Sequence, residues 1–467
     1  MAQNFLPCDR DQELLLPPSL RDWLAEDHLA WFVLEAVAEL DLQAFYAAYR
    51  ADGWGAAAHD PEMMVALLVY AYAIGVRSSR AIERRCRDDV AFRVITANQV
   101  PDHATIARFR QRHEGAIAQL FGLVLELCAE AGLVKAGVVA IDGTKVQANA
   151  SRFANRDYEQ IAREVLEEAA EIDAAEEERY GERRGDELPE ALQTKHGRRG
   201  WFREARHRLE ERRAEQGRPV PRSRSQRLAE AKRRLEEEHR VECQANAAYE
   251  HYRVHGRTSD GRRLGRRPKP WKPPQRPAGK INLTDPDSRN LKASRGYVQG
   301  YNAQAAVNEQ GVVVAAEITV DSPDFGHLEP MVNAVQSELE HAGVQEQPAV
   351  VLADTGYWHH EQMQRIADRG IGVLIPPDAP TRKGTRPGWD GGLYAFMRRV
   401  LATERGGELY AKRQTMVEPV FADTKFNRRI DRFLRRGRSA ARSEWRLANA
   451  AHNLLKLWRH STAPMPA

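Results

Sequence analysis

Cysteine is scarce in this chain. The four present, Cys8, Cys86, Cys128 and Cys243, stand far apart in 467 residues and match no zinc or redox spacing. That argues against a disulfide framework or a cysteine-held metal and fits a reducing cytoplasm. Long apolar runs are missing too. The longest, "MMVALLVYAYAIGV" at 63–76, is too short to span a bilayer as a helix and is expected to be a core helix, with no membrane partner. The opening "MAQNFLPCDRDQELLLPP" has no basic start followed by an apolar stretch, so no secretory signal is expected. Nor does one sign of charge dominate: 70 basic and 66 acidic side chains leave a formal net charge of +4. The total therefore announces no nucleic-acid binder, and any such function must lie in how the charges are distributed. What is present is length enough for two or three domains with sizeable cores.

The text changes character along the chain. Residues 1–133 are helix-rich: "PSLRDWLAEDHLAWFVLEAVAEL" repeats apolar residues at helical spacing, and Asp60-Pro61 makes a cap and first turn for the next helix. In "SSRAIERRCRDDVAFRVITANQVPDHATIARFRQRH" a basic helix, a turn through Asn98 to Pro101 and a helix capped by Asp102 follow one another. Ile106, Phe109 and Leu120 line one side, leaving Arg108, Arg110 and Arg112 for other work. Two readings stand: a helix-turn-helix that touches DNA, or an ordinary helical hairpin with solvated arginines.

Residues 152–279 read as a charged helical insertion, acidic first and basic later, closing in a Pro-rich linker. There Arg266, Arg267, Lys269, Lys272 and Arg276 surround Trp271, as a solvated linker or as phosphate contacts. From Tyr297 strands and helices alternate. A hairpin turns near Asn308–Gly311, and "PAVVLADTGYW" is a buried strand followed by helix, strand and helix. The fold class expected is mixed α/β, a sheet with flanking helices, plus an all-α N-terminal part.

Two apolar strands from distant parts of the chain each end on an aspartate. "VVAIDGTKVQANAS" reaches Asp142 and "VVLADTGYW" reaches Asp354, each with a glycine close behind. Singly, each is a turn residue. Side by side at neighbouring strand ends, the carboxylates repel unless a cation lies between them, and hard oxygen ligands suit Mg²⁺ or Mn²⁺. A third acid is expected from "YAKRQTMVEPVFADTKFNRRIDRFLRRG". If this is one α-helix, Glu418, Lys425, Arg429, Arg432 and Arg436 share a side, a metal ligand opening onto a phosphate track, while Phe426, Ile430, Phe433 and Leu434 pack inward. Pro419 requires that helix to start or kink. Asp321 and Asp324 in "DSPDFGHLEP" compete as site acids but are read as loop and capping residues, and Asp423 projects to a different side from Glu418.

These blocks together resemble the bacterial insertion-sequence transposases of the DDE class. "DPEMMVALLVYAYAIGVRSSRAIERRCRDDVAFRVITANQVPDHATIARFR" is similar to the family's N-terminal helical domain. "VVAIDGTKVQANAS", "VLADTGYW" and "VEPVFADTKFNRRIDRFLRRG" are similar to the segments carrying its two aspartates and its glutamate, and "EWRLANAAHNLLKLWR" to its closing helix. The resemblance implies a ribonuclease-H-like catalytic domain over 134–151 and 280–462, preceded by a DNA-binding domain over 1–133. It implies Asp142, Asp354 and Glu418 as a metal-binding triad with two Mg²⁺ ions, Mn²⁺ substituting. It also implies DNA ends with inverted repeats and target DNA as partners, a homodimer on DNA, and a bacterial cytoplasmic protein associated with the nucleoid. Lys425 and Arg429 are expected on backbone phosphates, Lys145 on a further phosphate, and Tyr357 stacked on an unpaired base, with Trp358 in the core. Two departures are visible: Ala422 stands where the family commonly has glycine, and Tyr410, Arg413, Glu418 and Lys425 nearly match the regular Tyr, Arg, Glu and Lys spacing of related transposases, except that the gap from Arg413 to Glu418 is one residue longer. The alternatives are a metal-dependent nuclease without strand transfer and a decayed transposase that only binds DNA.

Overall fold

The computed structural model describes residues 6–8, 19–50, 57–180, 223–255, 276–293, 296–378 and 391–462. Most of the Pro-rich linker, including Arg266 to Lys272, lies outside them. The chain divides into two compact units, Met1–Ala150 with Asp287–Ala467, and Ser151–Pro286.

The first unit begins with helices α1 (Leu29–Ala38), α2 (Gln43–Tyr46), α3 (Pro61–Ala73), α4 (Ser79–Asp88), α5 (Val90–Ile95), α6 (His103–Arg112) and α7 (Glu114–Glu130). The long apolar run forms α3, and every residue of it except Glu62 is buried. Asp60 caps it as expected, its Oδ1 accepting from the Glu62 amide at 2.8 Å. The basic stretch after it breaks into two helices, because Asp89 caps a new start at α5. Ala97 and Asn98 then turn the chain in left-handed conformations, and Asp102 caps α6.

Strand β1 (Val138–Gln147) follows. In the second unit lie β2 (Asn155–Arg156), α8 (Tyr158–Tyr180), α9 (Arg224–His255) and β3 (Ile281–Asn282). Strands β2 and β3 pair antiparallel. Ile161, Leu228, Ala231, Leu235 and Ile281 make a small core of their own, with Tyr158 donating to Glu236 at 2.8 Å beside it.

The first unit resumes with β4 (Arg289–Ala293), β5 (Gly296–Asn308), β6 (Val313–Thr319), α10 (Leu328–His341), β7 (Val350–Ala353), α11 (His360–Asp368), β8 (Gly372–Leu374), α12 (Gly392–Ala402), α13 (Glu404–Ala422) and α14 (Arg438–Ser461). Its sheet runs β4-β5-β1-β7-β8, with β6 also paired to β5. β5 runs antiparallel to β1, β4 and β6, while β7 is parallel to β1 and β8 to β7. This is the mixed sheet with flanking helices that the sequence predicts. The β5–β6 turn sits where the hairpin signal lies: Asn308 Oδ1 accepts from the Gln310 and Val312 amides, and Gly311 takes a φ of +73°. β1 is the central strand, so its apolar run is buried on both faces. The N-terminal helices and the sheet share one hydrophobic core, with α14 packed against α3, α7 and β6. No helix among the described residues is long and apolar enough to cross a membrane.

One helix junction stores a pH dependence. His113, between α6 and α7, is 2% exposed and packed among Phe109, Phe45 and Tyr49, with ring centroids 4.4, 5.2 and 5.5 Å away. Burial first, and Arg112 second, push its imidazolium down to a pKa of about 4. The unfolded chain therefore binds a proton below about pH 6.5 that the folded chain refuses until about pH 4. Stability should fall as pH drops through that window, by roughly 3 kcal/mol at most from this residue. Chemical denaturation at pH 7.5, 5.5 and 4.5 should show the loss, and His113→Phe should reduce it; an unchanged slope in the variant would rule this residue out.

Candidate active site

The ladder that buries β1 also decides where its aspartate goes. Ile141 and Ala353 are the last paired residues of the parallel β1–β7 ladder. Asp142 and Asp354 therefore leave the ends of adjacent parallel strands side by side, a common position for ligand sites in α/β sheets. Asp142 remains in the antiparallel ladder opposite Ala305, which holds its backbone rigid.

Both carboxyl groups are strained by their surroundings. Asp142 accepts from Arg413 Nη1 at 2.8 Å through Oδ2 and from the Gly143 amide at 2.8 Å through Oδ1. Burial nonetheless lifts its pKa to about 6, against the pull of Arg413 and with a further push from Asp354. Asp354 Oδ1 accepts from the Gly356 amide at 2.8 Å and caps a short turn over Thr355–Tyr357. Its pKa is raised too, by burial and then by the charge of Asp324.

Helix α13 supplies the opposing cation. Arg413 faces Asp142, and Tyr410, one turn earlier on the same helix, adjoins Arg413 and is pushed above the ordinary phenol value by burial. The same helix buries Met416, Val417 and Val420 and leaves Glu418 exposed. Five residues beyond Arg413, Glu418 lies about 140° further round the helix. Asp142 and Asp354 are thus together, and Glu418 is exposed on a different side of α13 from Arg413. No group of three His, Cys, Asp or Glu side chains converges as a metal site among the described residues.

The basic stripe expected along a continued helix does not form. α13 runs through Pro419 to Ala422, passes into a single π-helical turn over Asp423–Asn427 and stops. Arg428 is drawn into the core, where it donates to Ala448 O at 2.7 Å and pairs with Asp423 at 2.9 Å. Arg429 takes a left-handed φ of +54°, and the chain then runs beside the end of β1, with Phe433 N donating to Gln147 O at 2.8 Å. Phe426 is 80% exposed, whereas Ile430 and Phe433 are buried as expected.

The other basic candidates are scattered. Lys425 is half-buried and donates to Lys145 O at 3.1 Å. Arg432 and Arg436 are exposed, and Arg436 donates to Asn149 O at 3.0 Å. Exposed Arg429 lines a groove with Arg77, Arg84 and Arg85. In α6, Arg108 and Arg112 are exposed, but Arg110 is buried, lies 5.5 Å from the Tyr72 ring and donates to Arg77 O at 2.7 Å, which removes it as a DNA contact.

Tyr357 offers no face for base stacking. It is fully buried, with its hydroxyl donating to Gln304 Oε1 and pushed well above the ordinary phenol value by burial and then by Asp324, Asp142 and Asp354. Trp358 packs in the core against Tyr394, ring centroids 5.0 Å apart.

Two polar residues beside the site, Asn302 and Gln304, escape the sequence reading, and Asp324, read there as a loop or capping residue, joins them. Asp324 Oδ1 accepts from Asn302 Nδ2 at 2.7 Å and Gln304 Nε2 at 2.9 Å, and Lys145 Nζ lies 3.5 Å away. The signal was available in "YNAQAAVN", where two amides two residues apart interrupt an otherwise apolar strand on one face.

Two protein-family models match the chain: a transposase domain (DUF772) over residues 18–112 and a transposase DDE domain over residues 260–454. Asp354 and Glu418 lie inside the second match, and Asp142 lies between the two. Neither the curated proteins nor the solved structures contain a match. With helices α1 to α6 under the first match and most of the mixed sheet under the second, the chain belongs to the insertion-sequence DDE transposases, DNA-acting polynucleotidyl transferases with a ribonuclease-H-like catalytic domain, in a family that uses divalent metal ions.

Proposed function

We propose that this transposase cleaves both ends of its own insertion sequence and joins them to target DNA, with Asp142 and Asp354 as the principal cation-holding acids and Glu418 as the third. The observation that carries the reading is the pair of half-buried carboxylates on adjacent strand ends, with Asp354 adding to the raised pKa of Asp142. Such a donor set suits a hard divalent cation, which relieves the repulsion between the acids. Mg²⁺ is the ion this reading names, with Mn²⁺ as a substitute. A pair of such ions, when bound, stabilises charge on the attacking and leaving oxygens of an in-line displacement at phosphorus.

The chain's own residues do the rest. β1 and β7 fix the two carboxylates, and Arg413 neutralises Asp142 while lying where a DNA phosphate would approach. Exposed Arg429, Arg432 and Arg436, with Arg108 and Arg112, supply backbone contacts that position DNA without reading its sequence. Lys145 and Lys425 stand at the edge of the site, Lys145 held by Asp324. Pairing two element ends calls for a homodimer.

Oligonucleotides carrying the inverted repeats that flank the gene, incubated with purified protein and Mg²⁺, provide the test. Cleaved ends with free 3′-hydroxyls, followed by products joined to a target duplex, are expected. Cleavage without joining would leave a nuclease, and binding without cleavage a decayed enzyme.

A further inference from the structure

The groove lined by Arg77, Arg84, Arg85 and Arg429 encloses about 310 Å³ and has no acidic side chain in its walls. One wall is the turn after α3 with the start of α4, and the other is the segment that follows α13. The walls are locked together. A Cβ on Gly75 would lie 3.1 Å from Arg428 Cα and 3.2 Å from Asn427 O, so the two backbones already touch. Arg77 donates to the carbonyl oxygens of Arg429 and Arg432 and pairs with Glu444, which spends its guanidinium on holding the walls.

Arg84 and Arg429 are placed differently. Both are exposed, one from each wall, and neither side chain has an ion pair or hydrogen bond among the described residues. Arg80, one turn before Arg84, is exposed and unpaired in the same sense. Because α4 buries Ile82 and Cys86, Arg80 and Arg84 stand in a row on its opposite side. The exposed arginines of α6 are instead engaged locally: Arg108 donates to Ala104 O and to Thr105, and Arg112 lies 5.3 Å from the Tyr49 ring. Two acids stand near the groove, and each already faces an arginine. Asp89 pairs with Arg85 at 3.1 Å, and Asp431 lies 4.0 Å from Arg77.

We propose that this groove carries a stretch of DNA backbone from the N-terminal helices to the catalytic domain. Arg84 and Arg429 contact phosphates from its two walls, and Arg80 extends the track along α4. This deepens the reading of the chain as a DNA-cleaving transposase and rests on it. Cations without counter-ions in a concave surface free of acids focus a field that draws in a polyanion, and guanidinium groups match phosphate geometry. Ser78, which also lines the groove, makes no side-chain cap on α4, so the positive end of that helix adds to the field. The left-handed φ of +54° at Arg429 is costly for a residue with a side chain, and the bond from Arg77 to its carbonyl oxygen holds it there. The groove is also tied to the active site. Gln147 N donates to Asp431 O at 2.9 Å and Gln147 O accepts from Phe433 N at 2.8 Å, which joins the second wall to the strand that carries Asp142.

Fluorescence anisotropy of two labelled duplexes, one an element end and one unrelated, tests this with a chelator present and salt varied from about 50 to about 200 mM. Arg84→Ala and Arg429→Ala should each weaken binding about three- to tenfold and lower the slope of log affinity against log salt by about 1. The loss should be equal on both duplexes, since phosphates carry no sequence. Arg84→Lys, which keeps the charge, should keep the slope. If wild type binds and both alanine variants match it in affinity and slope, the inference is overturned. A loss for Arg84→Ala alone overturns the crossing between the walls, and a loss confined to the element end overturns the phosphate assignment. A wild-type chain that binds neither duplex overturns the cleavage reading itself. Should Arg429→Ala melt below wild type, Arg429→Gly, which suits a left-handed backbone, is read the same way.

Discussion

Asp142→Asn is expected to cut DNA cleavage by roughly a thousandfold or more while leaving a protein that resists heat at least as well as the wild type. The two effects have one cause. With its pKa lifted to about 6 by burial and by Asp354, the ionised carboxylate is held at neutral pH in a place that disfavours it. A shift of about two units from the ordinary aspartate value corresponds to roughly 3 kcal/mol. An amide of the same shape removes that cost, although it accepts from Arg413 Nη1 less strongly than a carboxylate does. Without its charge, however, the proposed site would lose one of the two acids that β1 and β7 fix side by side, and the cation-dependent cleavage proposed for it would go too. Asp354→Asn should behave alike. Thermal melts at pH 7.5 with a chelator present, set beside a gel assay of cleavage, measure both halves. A variant that melts far below wild type would make Asp142 a structural residue, and one that cleaves normally would remove it from the site.

Stability gained where activity is lost is the general signature of a site assembled against its own electrostatics. Here it also explains what could be read in the sequence. β1 and β7 are short apolar runs that can only be buried strands, and in a mixed sheet their acidic ends fall together. That juxtaposition follows from local text plus one pairing, so Asp142 and Asp354 were legible. The continuation of α13 was not. "ADTKFNRRIDRFLRRG" has helical spacing of apolar and basic residues, yet the backbone there is claimed by distant partners. Gln147, at the end of β1, exchanges hydrogen bonds with Asp431 and Phe433, and Ala448 draws Arg428 inward. Tertiary pairing outweighs the weak helical preference of one segment. Asp324 was obscured for the opposite reason. A Ser-Pro-Asp-Phe-Gly stretch before a helix has the composition of a loop or cap, and only the fold brings Asn302 and Gln304 to it. Lys145, expected on a phosphate, lies 3.5 Å from this same loop acid, a neighbour that local sequence could not supply.

Glu444→Ala should be the most damaging single truncation for the fold. This glutamate lies within the buried stretch of α14, and its side chain has no exposure to solvent. Its Oε1 accepts from the Tyr72 hydroxyl and from Arg77 Nη1, both at 3.3 Å, and its Oε2 from the Leu434 and Arg435 amides at 2.9 and 3.3 Å. Three parts of the chain meet on one carboxylate: α3 with the turn behind it, the irregular segment after α13, and α14. Alanine would leave Arg77, itself only 9% exposed, without its buried counter-charge and two backbone amides without acceptors. Breaking a buried pair from one side costs about 3–5 kcal/mol, much of the net stability of an ordinary domain. Glu444→Gln keeps one acceptor oxygen but sets an NH₂ group against donors, so a smaller loss of roughly 1–3 kcal/mol is expected. Urea unfolding followed by Trp fluorescence and by far-UV circular dichroism measures both variants. The two probes should move together, because the N-terminal helices and the sheet share one core and Glu444 joins them. A loss below 1 kcal/mol in the alanine variant would show that Arg77 is held well enough by the carbonyl oxygens of Arg429 and Arg432, to which it also donates. That would shift the anchoring of the arginine-lined groove from α14 to the segment that follows α13.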